Sequence, residues 1–483
     1  MERSKIIFGN EIREKDYRKA VKSKKKYEKK FGSDEGKTFV FSAAENPVLG
    51  EPFGVKNLVL SGGEPVSFEE NALIVGNIRM GYGHYRISMA IASAAHALGY
   101  RPYWLDLNSF SGTAATGIIS HQNDLYSLGS RLSQKFSLFN KLVWEPINSE
   151  GFRKLSYNAA DQKNAELMAP LLAGLPKEIP YVATHAWPAQ AAIHAGLTRV
   201  VNAIPDNWPM ALHLAEGSVH TVQTPSSYLG YLTLRGMDPK RALSPMPEEA
   251  IYEVGHYVDD EFVKNIAADN ARRLARAEAG EPRRFLLTVG GAGAQQKLFE
   301  EIAAHLLPKV KEGKVTLLVN VGDHKNVWEE IAAHVPGLAE AAVFHEDDYE
   351  TVKKTLTPDA PLSGVQVYCN KEIFAAVYLT NLLMRVADFL VTKPSELAFY
   401  PVPKLMMRRV GGHEAWGAIT AAELGDGTFE CERADEIRAM LDRMTESPNI
   451  LRYLCGRIEK ADRVGAYNGA YEVVKLAAGA SRG

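Results

Sequence analysis

Two segments of the chain begin in the same way, with a short apolar run, a glycine-rich loop and a helix pattern. The first has a strand over 72–75, a loop with glycines at 76, 81 and 83, and a helix over 87–98; the second has a strand over 285–289, a loop over 290–294 and a helix over 295–310. Short apolar runs that alternate with helices are typical of buried parallel strands. The repeated opening therefore predicts an α/β protein with two Rossmann-like, doubly wound domains facing a cleft.

Further strand patterns follow each opening. In the first half they cover 101–106, 181–184, 198–204 and 219–223, and in the second half 315–321, 365–368, 387–392 and 404–407. The sequence predicts a basic N-terminal arm with an irregular lead-in (1–70), a first Rossmann-like domain (71–240), a linker (241–284), a second Rossmann-like domain (285–430) and C-terminal helices (431–483).

Composition narrows the class of protein. Hydrophobic residues make up 46% and charged residues 24% of the 483 positions, which is typical of a globular chain and excludes disordered or collagenous classes. The net charge of −2 gives no bulk attraction to nucleic acid. Cys369, Cys431 and Cys455 are too few and too far apart for a disulfide framework or a zinc site. A reduced, cytoplasmic setting is expected.

The charge is distributed unevenly along the chain. Residues 1–31 contain 12 Lys or Arg and 5 Asp or Glu, a difference of +7. One interpretation is a solvated, partly helical arm, which the weak apolar stripe favours. The other is a surface that meets anionic lipid or another polyanion, with the protein peripheral to the inner face of a membrane.

The first candidate site is the loop Gly81-Tyr82-Gly83-His84 between a strand and a helix. Glycines there let a ligand approach the backbone, and the helix N-terminus offers N–H donors. The spacing fails as a dinucleotide fingerprint because a third glycine is missing. A tight turn with a capping histidine is the structural alternative.

Two more polar residues of the first domain follow predicted strands. His185 comes after the strand over 181–184, and Asp206 comes after the strand over 198–204. Because the carboxyl ends of parallel strands share one edge of the sheet, both should lie on the same edge as His84. Singly each is a structural candidate, but together they predict a site.

The second domain carries three candidate segments. Residues 290–294 form a small-residue loop before a helix, which suits a diphosphate on backbone N–H groups but is not a Walker A loop. Residues 392–398 read TKPSELA, in which Ser395 is a helix cap and Glu396 is either a first-turn acid or a ligand of ribose hydroxyls. Residues 408–418 bring two arginines, two glycines and a histidine to a strand end, as for an anionic ligand or an ordinary solvated loop.

These segments, in this order, resemble GT-B glycosyltransferases. The similarity is to the family of monogalactosyldiacylglycerol synthases, processive diacylglycerol glucosyltransferases and the lipid-II-forming N-acetylglucosaminyltransferase. It covers about residues 71–430 and rests on GYGH (81–84), THAWP (184–188), Pro205-Asp206 with the strand and helix over 219–237, TVGGAGA (288–294), SELAFYPVPKLMM (395–407) and GGHEAWGA (411–418).

The resemblance implies an inverting transfer of a sugar from a nucleotide diphosphate, UDP-linked in this family, to an acceptor hydroxyl. It implies neither metal nor other cofactor, since backbone N–H groups and helix dipoles stabilise the leaving diphosphate. The acceptor side would use His84, Asp206 and His185 as catalytic residues, beside the loop glycines Gly81 and Gly83. The donor side would use Gly291, Ala292, Gly293, Ala294, Val367, Tyr368, Lys393, Ser395, Glu396, Gly411, Gly412, His413 and Glu414, with backbone at Val367 and Tyr368 contacting the base.

The sequence leaves the identity of the acceptor molecule undetermined. Residues 123–145 mix apolar and basic side chains, as for a lipid acceptor or an amphipathic core helix. The chain departs from the family where Lys393-Pro394 runs directly into Ser395-Glu396, and where Gly417 replaces an asparagine. Two alternatives to a glycosyltransferase therefore stand: another GT-B chemistry such as nucleotide-sugar epimerisation, and a sensor or scaffold without turnover.

Overall fold

The chain folds into two compact units. The computed structural model describes residues 2–60, 64–135, 151–290 and 295–479. Unit 1 comprises residues 1–260 and 468–483, and unit 2 comprises residues 261–467. Each unit has its own sheet, in which nearly all neighbouring strands are parallel. The prediction of two Rossmann-like domains is confirmed.

The strands of unit 1 form a hairpin and one large sheet. They are β1 (Ile6–Ile7), β2 (Asn10–Glu11), β3 (Ser42–Glu45), β4 (Lys56–Val59), β5 (Ala72–Asn77), β6 (Arg101–Asp106), β7 (Tyr181–Ala183), β8 (Val200–Ala203), β9 (Val219–Val222) and β10 (Ile251–Glu253). The hairpin pairs β1 with β2, and the sheet has the order β10-β9-β8-β7-β5-β6-β4-β3. Only β3 runs antiparallel to its neighbour, β4. The order reverses direction at β5, between β6 and β7.

Helices cover this sheet. They are α1 (Glu14–Phe31), α2 (Gly50–Phe53), α3 (Gly83–Ala97), α4 (Ala114–Lys135), α5 (Leu155–Leu172), α6 (Ala186–His194), α7 (Pro225–Leu232) and, at the boundary between the units, α8 (Asp260–Val263). Every residue of β5 is buried, and so is every residue of α3 from Tyr85 to Ala95. Helix α3 is rich in Ala, Ile and Met and therefore lies in the core rather than over it.

The first 70 residues differ from the predicted arm and irregular lead-in. Helix α1 packs against α5, and its Ala20 is fully buried. Strands β3 and β4 extend the sheet beyond β6. The sequence gives little sign of these strands because β3 lies at the edge of the sheet, where only Ser42 of its four residues is buried.

Unit 2 contains a parallel sheet. Its strands are β11 (Arg283–Thr288), β12 (Val315–Asn320), β13 (Ala342–Glu346), β14 (Val365–Cys369), β15 (Phe389–Thr392) and β16 (Lys404–Met406), in the order β13-β14-β12-β11-β15-β16. Its helices are α9 (Ile266–Glu278), α10 (Gln296–Lys311), α11 (Lys325–His334), α12 (Leu338–Ala341), α13 (Tyr349–Thr355), α14 (Ile373–Val386), α15 (Ala415–Leu424), α16 (Ala434–Glu446) and α17 (Asn449–Arg463). Here the order reverses at β11, between β12 and β15.

The segment predicted as a linker over 241–284 is part of both units. Strand β10 belongs to the first sheet, and helix α9 packs into unit 2. The Arg273 guanidinium is fully buried and donates through Nε to the carbonyl of Ala387 at 2.9 Å. Arg276 pairs with the buried Asp388 at 2.7 Å. In the sequence, the arginines of α9 are typical of a solvated linker. In the structure their guanidinium groups are buried and bind acceptors elsewhere in unit 2, so the prediction of a linker is wrong.

The predicted helical tail is confirmed. Helices α16 and α17 lie in unit 2, and the last helix, α18 (Gly469–Ala478), returns to unit 1. There α18 contacts α3 and the strands β7 and β8. Within the described residues, no helix is long and apolar enough to cross a membrane.

Candidate functional site

The predicted site of unit 1 lies where the strand order reverses. Strands β5 and β7 are parallel neighbours, and the chain continues from β5 to β6 in one direction along the sheet and from β7 to β8 in the other. In open α/β sheets this position leaves a crevice at the carboxyl edge that commonly binds ligands. Helix α3 begins after β5 at Gly83, and α6 begins after β7 at Ala186. His84 and His185 therefore meet at this point.

The His84 ring is oriented by the backbone of the neighbouring loop. Its Nδ1 lies 2.7 Å from the carbonyl oxygen of Thr184. A carbonyl oxygen only accepts hydrogen bonds, so Nδ1 carries a proton, and in the neutral form of the ring the lone pair is then on Nε2. Ser88 Oγ lies 2.8 Å from both the His84 carbonyl and Thr184 Oγ1, which holds the two elements together. This tautomer is the one that a general base requires.

His185 has a different environment. Its Nδ1 accepts a hydrogen bond from the backbone N–H of Trp187 at 3.1 Å and caps α6. The ring is buried, and burial lowers its pKa well below the ordinary value, with the nearby His84 and His213 adding to the effect. It packs edge-on against His84 with ring centroids 4.9 Å apart. Its geometry suits a neutral cap that fixes the position of His84.

Asp206 has a partner that the sequence analysis did not identify. Nε2 of His213, in the 3₁₀ turn Ala211–His213, lies 3.1 Å from Asp206 Oδ2. The His213 side chain is 4% exposed and the Asp206 side chain is 36% exposed. In the described part of the chain neither ring nitrogen of His213 makes a hydrogen bond of good geometry, so the two side chains are close neighbours without an aligned hydrogen bond. Nothing in the sequence distinguishes His213, because it lies in an irregular segment after a loop.

The glycines of the first loop are explained by the backbone. Gly81 has φ of +72°, a conformation that side chains other than glycine rarely adopt. Open space surrounds the position where its Cβ would lie, within the described residues. Gly83 is the first residue of α3, four residues before the predicted start at Ile87. The earlier start places His84 in the first turn of the helix.

The predicted donor site also lies where a strand order reverses. Strands β11 and β15 are parallel neighbours in unit 2. A Cβ built on Gly290, after β11, would lie 3.7 Å from Cε of Lys393, after β15. The loop glycines and alanines predicted to face the diphosphate, Gly291–Ala294, lie outside the described residues. Lys393 therefore brings an ammonium group to the place where the sequence predicts an anion.

Lys393 is paired with the loop after β16. Its Nζ forms an ion pair with Glu414 Oε1. The other oxygen of Glu414 accepts hydrogen bonds from the backbone N–H groups of Val410, at 2.7 Å, and Gly411, at 3.3 Å. Gly412 begins the 3₁₀ turn Gly412–Glu414, whose backbone includes His413. Glu414 thus fixes the predicted diphosphate loop beside Lys393.

Ser395 and Glu396 follow Lys393 closely. The backbone N–H of Ser395 donates to the carbonyl of Lys393 at 2.8 Å, and Glu396 begins the 3₁₀ turn Glu396–Phe399. The Ser395 side chain makes no capping bond, in contrast to the sequence prediction, because the tight turn takes the place of an ordinary helix start. A Cβ on Gly417 of α15 would lie 2.9 Å from the Pro394 carbonyl, so the short loop packs directly on that helix.

The prediction that backbone at Val367 and Tyr368 contacts a base does not fit the structure. Strand β14 lies between β12 and β13, and both residues are paired in register with each neighbour. Their side chains are buried, and Tyr368 stacks on His345 at 4.7 Å. The sequence predicts no strand over 342–346, whereas the structure places β13 there, paired with β14. With β13 present, the ladders already use this backbone.

Within 2–60, 64–135, 151–290 and 295–479, His, Cys, Asp and Glu side chains form no group of three or more that could hold a metal ion. His84, His185, His213 and Asp206 therefore form a polar cluster of a different kind, in which the ring nitrogens are directed at backbone and carboxylate groups.

Two protein-family descriptions match the chain, one over its first half and one over its second half. Residues 6–233 match the family described as Domain of unknown function (DUF6937), and residues 246–478 match Domain of unknown function (DUF6938). No curated protein sequence matches the chain. The second match includes β10, which belongs to the sheet of unit 1.

Solved structures of low sequence identity are similar to the chain. One is UDP-GlcNAc 2-epimerase from Neisseria meningitidis bound to UDP-GlcNAc, with 11% identity, a TM-score of 0.43 and coverage of 84% of this chain and 97% of that one. Another is alpha,alpha-trehalose-phosphate synthase (UDP-forming) from Burkholderia vietnamiensis, with 12% identity, a TM-score of 0.42 and coverage of 85% and 100%.

Proposed function

We propose that the chain is a GT-B glycosyltransferase that moves a sugar from a nucleotide diphosphate, UDP-linked, to an acceptor hydroxyl with inversion. The observation that carries the proposal is the orientation of His84. Its Nδ1 proton is committed to the Thr184 carbonyl at the point where the sheet order reverses, which gives Nε2 the lone pair of a base.

The transfer needs one proton acceptor. The acceptor hydroxyl oxygen attacks the anomeric carbon, its proton passes to His84 Nε2, and the bond from that carbon to the diphosphate oxygen breaks. Asp206, which is 36% exposed beside His213, is the second candidate for the base. His185 is neutral and buried, so we assign it a positioning role. The acceptor loop with Gly81 and Gly83 lies directly before His84.

The donor would bind to unit 2. Lys393 would meet the diphosphate, and Glu396 would hold the ribose hydroxyls. The backbone N–H groups of Gly291–Ala294 and of Gly411–His413 would supply further donors to the phosphate oxygens. We propose a metal-independent reaction in which these N–H groups and the Lys393 ammonium stabilise the leaving diphosphate.

The acceptor class is proposed on separate grounds. A lipid hydroxyl fits the predicted family and the mixed apolar and basic character of residues 123–145, of which 136–145 lie outside the described residues. The protein would then work in the cytoplasm, at the inner face of a membrane.

A sensor without turnover is the second candidate, and one observation favours it. Lys393 is already paired with Glu414, so an internal carboxylate neutralises the ammonium group that the donor would use. In a sensor this pair would be permanent. In a transferase the diphosphate would compete with Glu414 for Lys393.

Thermal unfolding with a panel of nucleotides tests the proposal. The panel is UDP, GDP, ADP, TDP, CMP and NAD. A ligand at 100 times its dissociation constant adds about 2.7 kcal/mol to the free energy of unfolding, which raises Tm by about 2–4 °C in a chain of this size. A selective rise with UDP, followed by release of UDP from a UDP-sugar, supports the transferase. A rise without turnover contradicts the transfer, and no rise with any nucleotide favours the sensor, in which Lys393 stays paired with Glu414.

A further inference from the structure

The outward face of α1 is a continuous basic stripe. Its eight exposed cations are Lys15, Arg18, Lys19, Lys22, Lys25, Lys26, Lys29 and Lys30. At 3.6 residues per turn these positions fall within an arc of about 140° of the helix circumference. The uneven charge seen in the sequence is therefore gathered on one side of one helix.

The opposite face of α1 fixes this orientation. Ala20 is fully buried, and Tyr27 and Phe31 pack against the core of unit 1. Lys24 lies on this packed side and pairs with Glu166 of α5 at 2.7 Å. Ser23 Oγ lies 3.2 Å from Asn164 Oδ1 of the same helix. The basic stripe is therefore held outward by tertiary contacts.

Few carboxylates neutralise the stripe. Arg18 pairs with Glu14, and Lys19 pairs with Asp16, both within the helix. Across the part of the chain that the structure describes, the other lysines of the stripe form no ion pair, apart from the contact of Lys30 with a histidine described below. Most of the positive charge is therefore available to an external anion.

Exposed leucines lie beside the stripe. Lys30 Nζ lies 3.1 Å from His121 Nε2 of α4, which brings the two helices together. One and two turns further along α4, Leu125 is 52% exposed and Leu128 is 48% exposed. Both follow His121 at helical spacing, by four and seven residues, and so share its face. We call the eight cations with Leu125 and Leu128 the α1–α4 surface.

We infer that the α1–α4 surface binds an anionic lipid bilayer. Lysines next to a membrane are attracted by the negative surface potential, and neighbouring leucines gain free energy by entering the acyl boundary. Leucine gains nothing from phosphate or from a stacked base, so the pair of features favours a membrane over a nucleic acid. Binding at this surface requires no sugar transfer, so it stands or falls separately from the proposed function.

Sedimentation with lipid vesicles tests the inference on the full chain. One set of vesicles is phosphatidylcholine alone, and the other contains about a third phosphatidylglycerol, enough to produce a surface potential. The wild type should bind the second set at low salt and bind it much more weakly, but measurably, at high salt. Replacement of Lys15, Lys22, Lys25, Lys26 and Lys29 by glutamine, which is also a good helix former, should lower the partition coefficient at least about 100-fold.

A matched variant separates the surface from net charge. Glutamine replaces five exposed basic residues of unit 2, namely Lys297, Lys311, Lys354, Lys460 and Arg463. Both variants lose the same charge, and circular dichroism checks that both keep their helices. The unit 2 variant should bind anionic vesicles within about twofold of the wild type. An equal loss in both variants would overturn the inference.

The leucines give a second, independent readout. Leu125→Gln with Leu128→Gln leaves the charge unchanged and should weaken vesicle binding about 10-fold, mainly the part that survives high salt. Failure of the wild type to bind anionic vesicles at low salt would overturn the inference. So would binding to single-stranded RNA that vesicles do not compete away.

Discussion

The two points of strand reversal have opposite chemistry. In unit 1 the position is built from two histidines, the half-buried His84 in the first turn of α3 and the buried His185 that caps α6, held by backbone carbonyl and N–H groups. In unit 2 it is built from charged side chains on loops, with Lys393 and Glu414 paired across two strand ends. Rigid, neutral groups suit proton transfer at a fixed point, whereas charged loops suit capture of an anion.

The largest expected effect concerns His84. His84→Ala should reduce turnover by a factor of about 10²–10⁴, the usual contribution of a general base, and leave nucleotide affinity unchanged. Steady-state rates and calorimetric titration with UDP measure the two quantities. His96→Gln, at the exposed end of the same helix, is the control. Full activity of His84→Ala would reject His84 as the base and leave Asp206.

The next effect concerns the loop of unit 2. Gly417→Ala would place a Cβ 2.9 Å from the Pro394 carbonyl, and we expect a loss of about 1–3 kcal/mol in the free energy of unfolding. Urea unfolding measures it. Gly456→Ala in α17 is the matched control, since its Cβ would meet open space among the described residues, and it should stabilise the helix by about 0.5–1 kcal/mol. Equal changes in the free energy of unfolding for the two variants would mean that the loop at Pro394 does not pack tightly against α15.

The close approach of Gly417 to the Pro394 carbonyl also connects the two places where the chain differs from the family that it resembles. The direct run from Lys393-Pro394 to Ser395 and the glycine at 417 are far apart in the sequence. In the structure the Cβ of a side chain at 417 would come within 2.9 Å of the Pro394 carbonyl oxygen. The short loop and the small residue therefore belong to one packing arrangement.

A smaller effect is expected for nucleotide binding. Glu396→Ala should weaken UDP about 10-fold, the loss expected when a charged hydrogen-bond acceptor is removed, while the unfolding temperature stays the same. Calorimetry and thermal unfolding check the two parts. Glu432→Ala, an exposed carboxylate of the same unit, should change neither. Unchanged affinity would remove Glu396 from the donor site.

A separate effect, on stability alone, reports on the buried side of unit 1. Asp161 of α5 is buried and accepts a hydrogen bond from Trp187 Nε1 at 3.0 Å, and burial raises its pKa from 3.8 to about 7. The folded state binds the Asp161 proton more tightly than the unfolded state does. The stabilisation of the fold that results is complete below pH 3.8 and is lost as pH rises through 7. Asp161→Asn should therefore gain stability relative to the wild type over that range, by at most about 1.4 kcal/mol per pH unit.

Unfolding of both proteins at pH 5 and pH 8 measures this difference. The neutral buried histidines act in the opposite direction, because their stabilisation is lost at low pH. They are the same in both proteins and cancel in the comparison. A difference that does not change with pH would show that Asp161 keeps one charge state throughout.

The sequence predicts the framework of the fold well because buried parallel strands are continuous apolar runs. The predicted strand over 101–106 is β6 with the same bounds, and the strand over 72–75 is the start of β5. Edge strands β3 and β13 lack a continuous buried run, since three of the four residues of β3 are exposed and no residue of β13 is fully buried, so neither has the apolar pattern of a central strand. Helix α9 was missed as a packed element because its buried arginines have acceptors that are distant in sequence.

In the candidate site, too, some residues can be placed from the sequence and others cannot. His84, His185 and Lys393 lie in the segments that connect a strand to the next helix or turn, so their place at a sheet edge can be inferred from the sequence. His213 cannot, because a 3₁₀ turn within an irregular segment brings it to Asp206. The pairing of Lys393 with Glu414 depends on the register between two loops, which no local pattern specifies.

Helix α18 has a consequence for how the molecule is made. It lies in unit 1 although residues 261–467 separate it from the rest of that unit, and Gly469 approaches the Gly255 backbone so closely that a Cβ would collide with it. On the ribosome the N-terminal residues emerge first, yet the helix that covers α3 emerges after all of unit 2. Unit 1 therefore starts to fold first and is completed last, and a nascent chain that stops before Asn468 leaves α3 uncovered.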